Sequence, residues 1–83
     1  MVSARTKSVI ERAKQLYRAT LQPLLDPYER GRYVAIEPDS REYFVAHTFD
    51  AAVDAALRKH PDRLTHTMRI GHPAALHMGV LMR

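Results

Sequence analysis

The chain has 83 residues, of which 46% are hydrophobic and 27% charged, and it contains no cysteine. This composition is typical of one globular domain and excludes a disordered chain, disulfides and cysteine-bound zinc. The net charge of +4 at pH 7 is concentrated in the first twenty residues. We expect a single cytoplasmic domain over residues 1–83, because no apolar run reaches the roughly 20 residues of a membrane span and no signal-peptide core is seen.

The N-terminal segment, residues 1–25, is predicted to form a basic amphipathic helix. Apolar residues recur at three- and four-residue intervals from Val9 to Leu21, which places them on one stripe. Ser3 is suited to cap this helix, and Pro23 predicts an end or a kink near Leu21. Five cations fall on the opposite side of the helix: Arg5, Lys7, Arg12, Lys14 and Arg18.

Residues 31–79 are predicted to form a ββαβ(β) core. Residues 32–37 and 42–46 are rich in β-branched and aromatic side chains, and the Pro-Asp-Ser-Arg turn between them predicts a β-hairpin. A helix follows, with Thr48 as its N-cap and Pro61 as its stop. Residues 64–70 alternate as a third strand, and residues 74–78 predict a short edge strand.

This element order predicts an α+β fold with a small, mostly antiparallel sheet of strand order 2-1-3-4. The strand–helix–strand connection should cross over right-handedly, which places the third strand beside the first. We expect both helices to cover one face of the sheet and the other face to stay open to solvent or a partner. The residues expected on that open surface are Tyr33, Ala35, Tyr43, Val45 and Arg69.

The five histidines raise the question of a metal site. Their spacing matches neither HExxH nor HxH, and no two fall on one turn of a predicted helix. His72 and His77 flank a turn and could approach each other, with His66 nearby, but the sequence leaves open whether the three converge. Surface or partly buried imidazole is the simpler interpretation, so we expect no metal and no cofactor.

The sequence also contains no convincing catalytic constellation. Asp50 and Asp54 lie one helical turn apart but are expected to face solvent, and Glu37, Asp39 and Glu42 surround a turn, where acidic residues are common. No serine sits in a nucleophile elbow, and the glycines are isolated. We therefore expect a protein that is not an enzyme.

The cationic side of the first helix is the strongest functional indication in the sequence. Such a surface binds phosphate backbones, anionic membranes or acidic proteins, although every amphipathic helix also needs a solvated side. Tyr33 and Tyr43 lie near Arg32 and Arg41, an arrangement that suits base stacking. Tyrosines in strands ordinarily pack across strands instead, and the RNA-recognition signature is absent.

Residues 31–79 resemble a family of small uncharacterised bacterial proteins. The resemblance is carried by the GRYVAIE segment, Tyr43, the alanine-rich helix that ends near His60, the MRIG segment, and the pairs Ala74-Ala75 and Met78-Gly79. It implies a domain of unknown function, in some relatives a partner subunit of a two-gene, toxin–antitoxin-like module, and it implies no catalytic residues.

The leading hypothesis is therefore a non-enzymatic protein-interaction module that binds a protein partner or a second copy of itself as a homodimer. Strand addition at a sheet edge and docking of a helix are the two modes available to it. The alternative is a nucleic-acid-binding accessory protein that uses the five cations of the first helix.

Overall fold

The computed structural model describes residues 3–71 and 80–81. A long helical segment comes first, consisting of α1 (Ala4–Leu16), a π-helical segment (Tyr17–Leu21) and α2 (Gln22–Glu29). The remaining elements are β1 (Tyr33–Glu37), β2 (Glu42–Ala46), α3 (Phe49–Lys59), β3 (Thr65–Arg69) and β4 (Val80–Leu81). The fold is α+β, as predicted.

The N-terminal helix is longer than its sequence predicts. Ser3 caps it as expected, by accepting the backbone N–H of Thr6 at 3.1 Å, but the helix continues past Leu21 to Glu29. Proline inside a helix lacks an N–H donor and clashes with the carbonyl four residues earlier. The π-helical segment resets the hydrogen-bonding ladder just before Pro23. The proline therefore falls in the first turn of α2, where no donor is needed.

Three strands have the predicted order β2-β1-β3, and β4 extends the sheet beyond β3. β1 lies between β2 and β3 and is antiparallel to both, with Ile36 opposite Tyr43 on one side and His66 on the other. The edge strand predicted over residues 74–78 lies outside the described residues. Within the described part of the chain, the two residues of β4 occupy that edge and pair antiparallel with β3.

The prediction that both helices cover one face of the sheet is wrong. Val34, Ile36 and Met68 pack against the N-terminal helical segment, whereas Ala35 packs against Ala52 and Ala56 of α3 on the opposite face. Side chains alternate between faces along a strand, so β1 is apolar on both sides and buried on both. The molecule thus has three layers, with the sheet between the N-terminal helical segment and α3.

Gly71, in the turn that follows β3, adopts a conformation that favours glycine, with φ of 87°. A Cβ atom there would lie 2.6 Å from Cγ of Arg30 and 3.1 Å from Oδ1 of Asp26. Gly31 has a similar φ of 92°, but an added Cβ meets nothing within 4 Å. Substitution at Gly31 therefore tests backbone strain alone, whereas substitution at Gly71 tests backbone strain together with steric crowding.

We expect Gly71→Ala to lower the free energy of unfolding by about 2 kcal/mol and Gly31→Ala by about 1 kcal/mol. The left-handed conformation costs both variants about 1–2 kcal/mol, and only Gly71→Ala must also displace the Arg30 side chain. Urea unfolding followed by circular dichroism measures both losses. Equal losses would show that crowding at Gly71 contributes nothing.

Candidate functional site

The five residues predicted to share an open sheet face lie on two different faces. Ala35 is fully buried beneath α3. Tyr33 is on the same side, where its ring meets Phe49 edge-on at 6.3 Å and the Arg69 guanidinium lies 5.9 Å from the Tyr33 ring centre. The sheet face covered by α3 is therefore not open to a partner at Tyr33 and Ala35. Tyr33 packs against Phe49 and Arg69 instead.

Tyr43 and Val45 point to the other face, because each is paired with a residue of β1 that packs under the N-terminal helical segment. α1 contacts β1, β3 and β4 on this face. Tyr43 keeps 40% of its surface exposed, and Val45 is partly buried. These two residues are thus what remains of the predicted surface, at the β2 end of the sheet.

The hairpin turn, residues 38–41, is built around the buried carboxylate of Glu37. That carboxylate accepts the backbone N–H groups of Asp39 at 3.1 Å and Ser40 at 2.8 Å. Arg41 adopts φ of 65° and donates its backbone N–H to the Glu37 carbonyl. Burial alone would raise the pKa of Glu37, but the hydrogen bonds from Ser40 and Asp39 outweigh burial and lower it. Glu37 is therefore an ionised structural anchor.

Ser40, His60 and Glu42 come together beside this turn without forming a catalytic triad. His60 Nε2 lies 2.6 Å from Glu42 Oε1 and 3.4 Å from Ser40 Oγ. In a triad the carboxylate holds one ring nitrogen so that the other is free to take the serine proton. Here both partners reach the same nitrogen, so the contact with Glu42 leaves no base for Ser40. The cluster joins the hairpin to the end of α3.

Asp39 ties the first helix to the same turn. Its two carboxylate oxygens contact Arg12 at 2.5 Å and Arg63 at 3.0 Å. The hydrogen bond from Arg12, together with the charges of Arg12 and Arg63, lowers the pKa of Asp39. Arg12, predicted to contact nucleic acid, is thus already paired within the protein, an interaction 27 residues apart in sequence.

A groove of about 340 Å³ runs between the first helix and the hairpin turn. Arg12, Leu16, Thr20, Pro38 and Arg41 are among the residues that line it. Among the described residues, its lining contains no carboxylate, histidine or cysteine, so they supply neither a general acid–base pair nor a set of metal ligands.

The histidines do not form a metal centre within the described residues, where no group of three or more potential ligands converges. His66 is buried on β3 at 1% exposure, and His47 is exposed after β2. His72 and His77 lie outside the described residues, so their predicted approach to His66 stays a prediction.

Three cations of the first helix form a line on one side of it, beside the buried stripe that includes Ala13 and Tyr17. Lys7, Lys14 and Arg18 are spaced seven and four residues apart, which places them on one helical stripe. Lys7 and Arg18 are exposed and Lys14 is partly exposed. Over residues 3–71 and 80–81, none of the three forms an ion pair, nor does Arg5. We call Lys7, Lys14 and Arg18 the basic line.

Two large apolar side chains stand exposed further along the same helical segment. Leu24 is 57% and Tyr28 83% exposed, and their four-residue spacing places them side by side on α2. We call them the α2 patch. The sequence prediction missed this patch because it ends the helical segment at residue 25, between Leu24 and Tyr28. The available signal was the i, i+4 spacing of Leu24 and Tyr28, each of which directly follows a proline.

The chain matches no protein-family model, no curated protein and no solved structure. The resemblance of residues 31–79 to a family of small bacterial proteins therefore stays a prediction. Nor is any helix in the described ranges long and apolar enough to cross a bilayer.

Proposed function

We propose that this protein is a non-enzymatic interaction module that binds an acidic protein partner through the exposed side chains of its N-terminal helical segment. The observation that supports this most is the α2 patch, two large apolar side chains left in solvent on the same helical segment as the basic line. This composition suits an amphipathic partner segment that carries acidic residues. Such a role is consistent with a partner subunit of a two-gene module.

The two parts of this surface would contribute differently to binding. Burying the α2 patch supplies most of the free energy, since apolar surface removed from water contributes roughly 25 cal/mol per Å². The basic line accelerates association and orients the partner, and its contribution weakens as salt screens the charges. Large exposed aromatic side chains are also the type most often found at binding hot spots.

Nucleic-acid binding is the second candidate, favoured by the basic line itself. Lys7 and Arg18 are eleven residues apart, or about 16 Å along a helix, a length that reaches several phosphates. Each phosphate contact would steepen the salt dependence of affinity by about 0.9 in log–log slope on duplex DNA. Nucleic-acid binding gives the α2 patch no role. Arg12 is also unavailable for phosphate contacts, because it pairs with Asp39.

Paired charge reversals test the proposal. We expect Lys14→Glu/Arg18→Glu to reduce sharply the capture of a stoichiometric protein partner from nuclease-treated extract of the source cell, because the introduced glutamates repel an acidic partner. The control, Arg58→Glu/Lys59→Glu, makes the same change in net charge on α3, where both cations are also exposed, and it should retain the partner. A second variant, Leu24→Ser/Tyr28→Ser, should lose it. Mass spectrometry identifies what is captured by wild type and by each of the three variants.

The same four proteins separate the two candidates. Nuclease-sensitive binding that is lost in Lys14→Glu/Arg18→Glu but kept in Leu24→Ser/Tyr28→Ser would establish the nucleic-acid function and overturn the protein-partner proposal. Binding that is equal in wild type and Lys14→Glu/Arg18→Glu would overturn both, because both require the basic line.

A further inference from the structure

β2 is an open edge of the sheet. It pairs with β1 on one side, and no described strand pairs with it on the other. An edge strand presents unpaired backbone N–H and C=O groups, which pair readily with another extended segment. The five residues of β2 include tyrosine, phenylalanine and valine, all of which favour strands.

This edge lacks the features that normally prevent such pairing. Proteins protect edges with proline, with inward-pointing charges or with lysine. β2 contains no proline and no lysine, and its one charged residue is Glu42. The Glu42 carboxylate is held at 2.6 Å by His60 and is directed toward the end of α3. The outer edge from Tyr43 to Ala46 therefore carries no charged residue.

We propose that β2 pairs antiparallel with β2 of a second copy of this chain, forming a homodimer with a continuous eight-stranded sheet. A two-fold axis at Phe44 pairs all five residues of each strand. In that register Glu42 lies opposite Ala46 of the second copy, and Tyr43 lies opposite Val45. No like charges within the strands meet, and each residue keeps its present face, as antiparallel pairing requires.

Pairing in this register would also cover the β2 end of the sheet, which is only partly buried in one copy of the chain. Tyr43 and Val45 lie on the face of the N-terminal helical segment, where α1 covers β1, β3 and β4. In the dimer they form two symmetric Tyr–Val cross-strand pairs, an arrangement in which aromatic and β-branched side chains stabilise a sheet. The exposed fraction of Tyr43, now 40%, would decrease as a result.

The helical layers leave room for this arrangement. α3 contacts β1, β2 and β3, so it is centred near β1. In the dimer the two β1 strands are three strand spacings apart, about 14 Å. Packed helices need only about 8–10 Å between axes, so the two α3 helices fit side by side. The surface differs from the one in the proposed function, so the two proposals are independent.

Sedimentation of designed variants tests the dimer. Wild type should sediment as a dimer at high concentration and dissociate on dilution. Tyr43→Lys and Val45→Glu should each weaken the dimer about tenfold or more, since each introduces two charged groups into apolar pairs. The double variant should regain affinity, because the lysine introduced in each copy then faces the glutamate introduced in the other. Tyr28→Lys, an added lysine on α2, should dimerise like wild type.

Amide hydrogen exchange gives a readout that needs no substitution. Protection of amides in β2 should increase with protein concentration, while protection in β1 stays constant. A wild-type chain that is monomeric at all concentrations, or a dimer that Tyr28→Lys disrupts and Tyr43→Lys does not, would overturn the proposal. Neither result would affect partner capture through the basic line.

Discussion

Tyr17→Ala is expected to remove most of the stability of the fold. Tyr17 is fully buried in the core between the N-terminal helical segment and the sheet, in a cluster with Ile36, Met68 and Ile70. Truncating a buried aromatic side chain costs about 3–5 kcal/mol. A domain of this size has in total about 4–12 kcal/mol, at roughly 0.05–0.15 kcal/mol per residue. Urea unfolding at pH 7 measures the loss.

Tyr17→Phe is the matched control for this prediction. The Tyr17 hydroxyl accepts the backbone N–H of Gly71 at 3.3 Å, and burial raises the pKa of this phenol, so it stays neutral at physiological pH. Removing only the hydroxyl should cost about 1 kcal/mol. If Tyr17→Ala and Tyr17→Phe were equally stable, the ring would not be the anchor that its burial indicates.

The parts of the fold that the sequence predicts well are those specified by local signals. Thr48 caps α3 by accepting the Ala51 N–H at 3.1 Å, and the helix ends at Lys59 just before Pro61. The hairpin follows in the same way from turn chemistry. Each of these features depends on residues close together in the chain.

The assignment of helices to sheet faces failed because it depends on contacts distant in sequence. β1 shows no alternation of polar and apolar residues, a pattern typical of a strand buried on both faces, and the prediction of one open face conflicts with it. Ala35 is the residue that indicates a second buried face. Its small side chain faces Ala52 and Ala56, and a layer of alanines on both elements allows α3 to approach the sheet closely.

The candidate surface was predicted only in part, for a related reason. The exposed cations of the first helix follow from its amphipathic pattern. Arg12, however, pairs with Asp39. This ion pair depends on how the helix docks against the hairpin turn, which no local sequence signal specifies. The α2 patch depends on the π-helical segment that carries the helix through Pro23, a local rearrangement that overrides the usual effect of proline.

Glu37→Gln is expected to lower the free energy of unfolding by about 2 kcal/mol at pH 7, because Asp39 and Ser40 donate to different oxygens of the carboxylate. The amide of Gln has one oxygen, so it can accept only one of the two N–H groups, without charge assistance, and its NH2 group faces the other donor. Glu37 is 1% exposed and lies directly opposite Glu42 in the hairpin. The two carboxylates coexist because Asp39 and Ser40 donate to one and His60 contacts the other. Glu11→Gln, the same change at an exposed position on α1, should leave stability nearly unchanged.

The effect of Glu37→Gln should also depend on pH in a defined direction. The pKa of Glu37 in the folded protein lies below its ordinary value of 4.5, so the carboxylate stabilises the fold at pH values above 4.5. That contribution is lost as the pH falls from 4.5 through the lower pKa of the folded state. Wild type should therefore lose stability in this acidic range more steeply than Glu37→Gln, and the two unfolding curves should converge. A difference that stays constant from pH 7 to pH 3 would show that the buried carboxylate acts through its shape and not its charge.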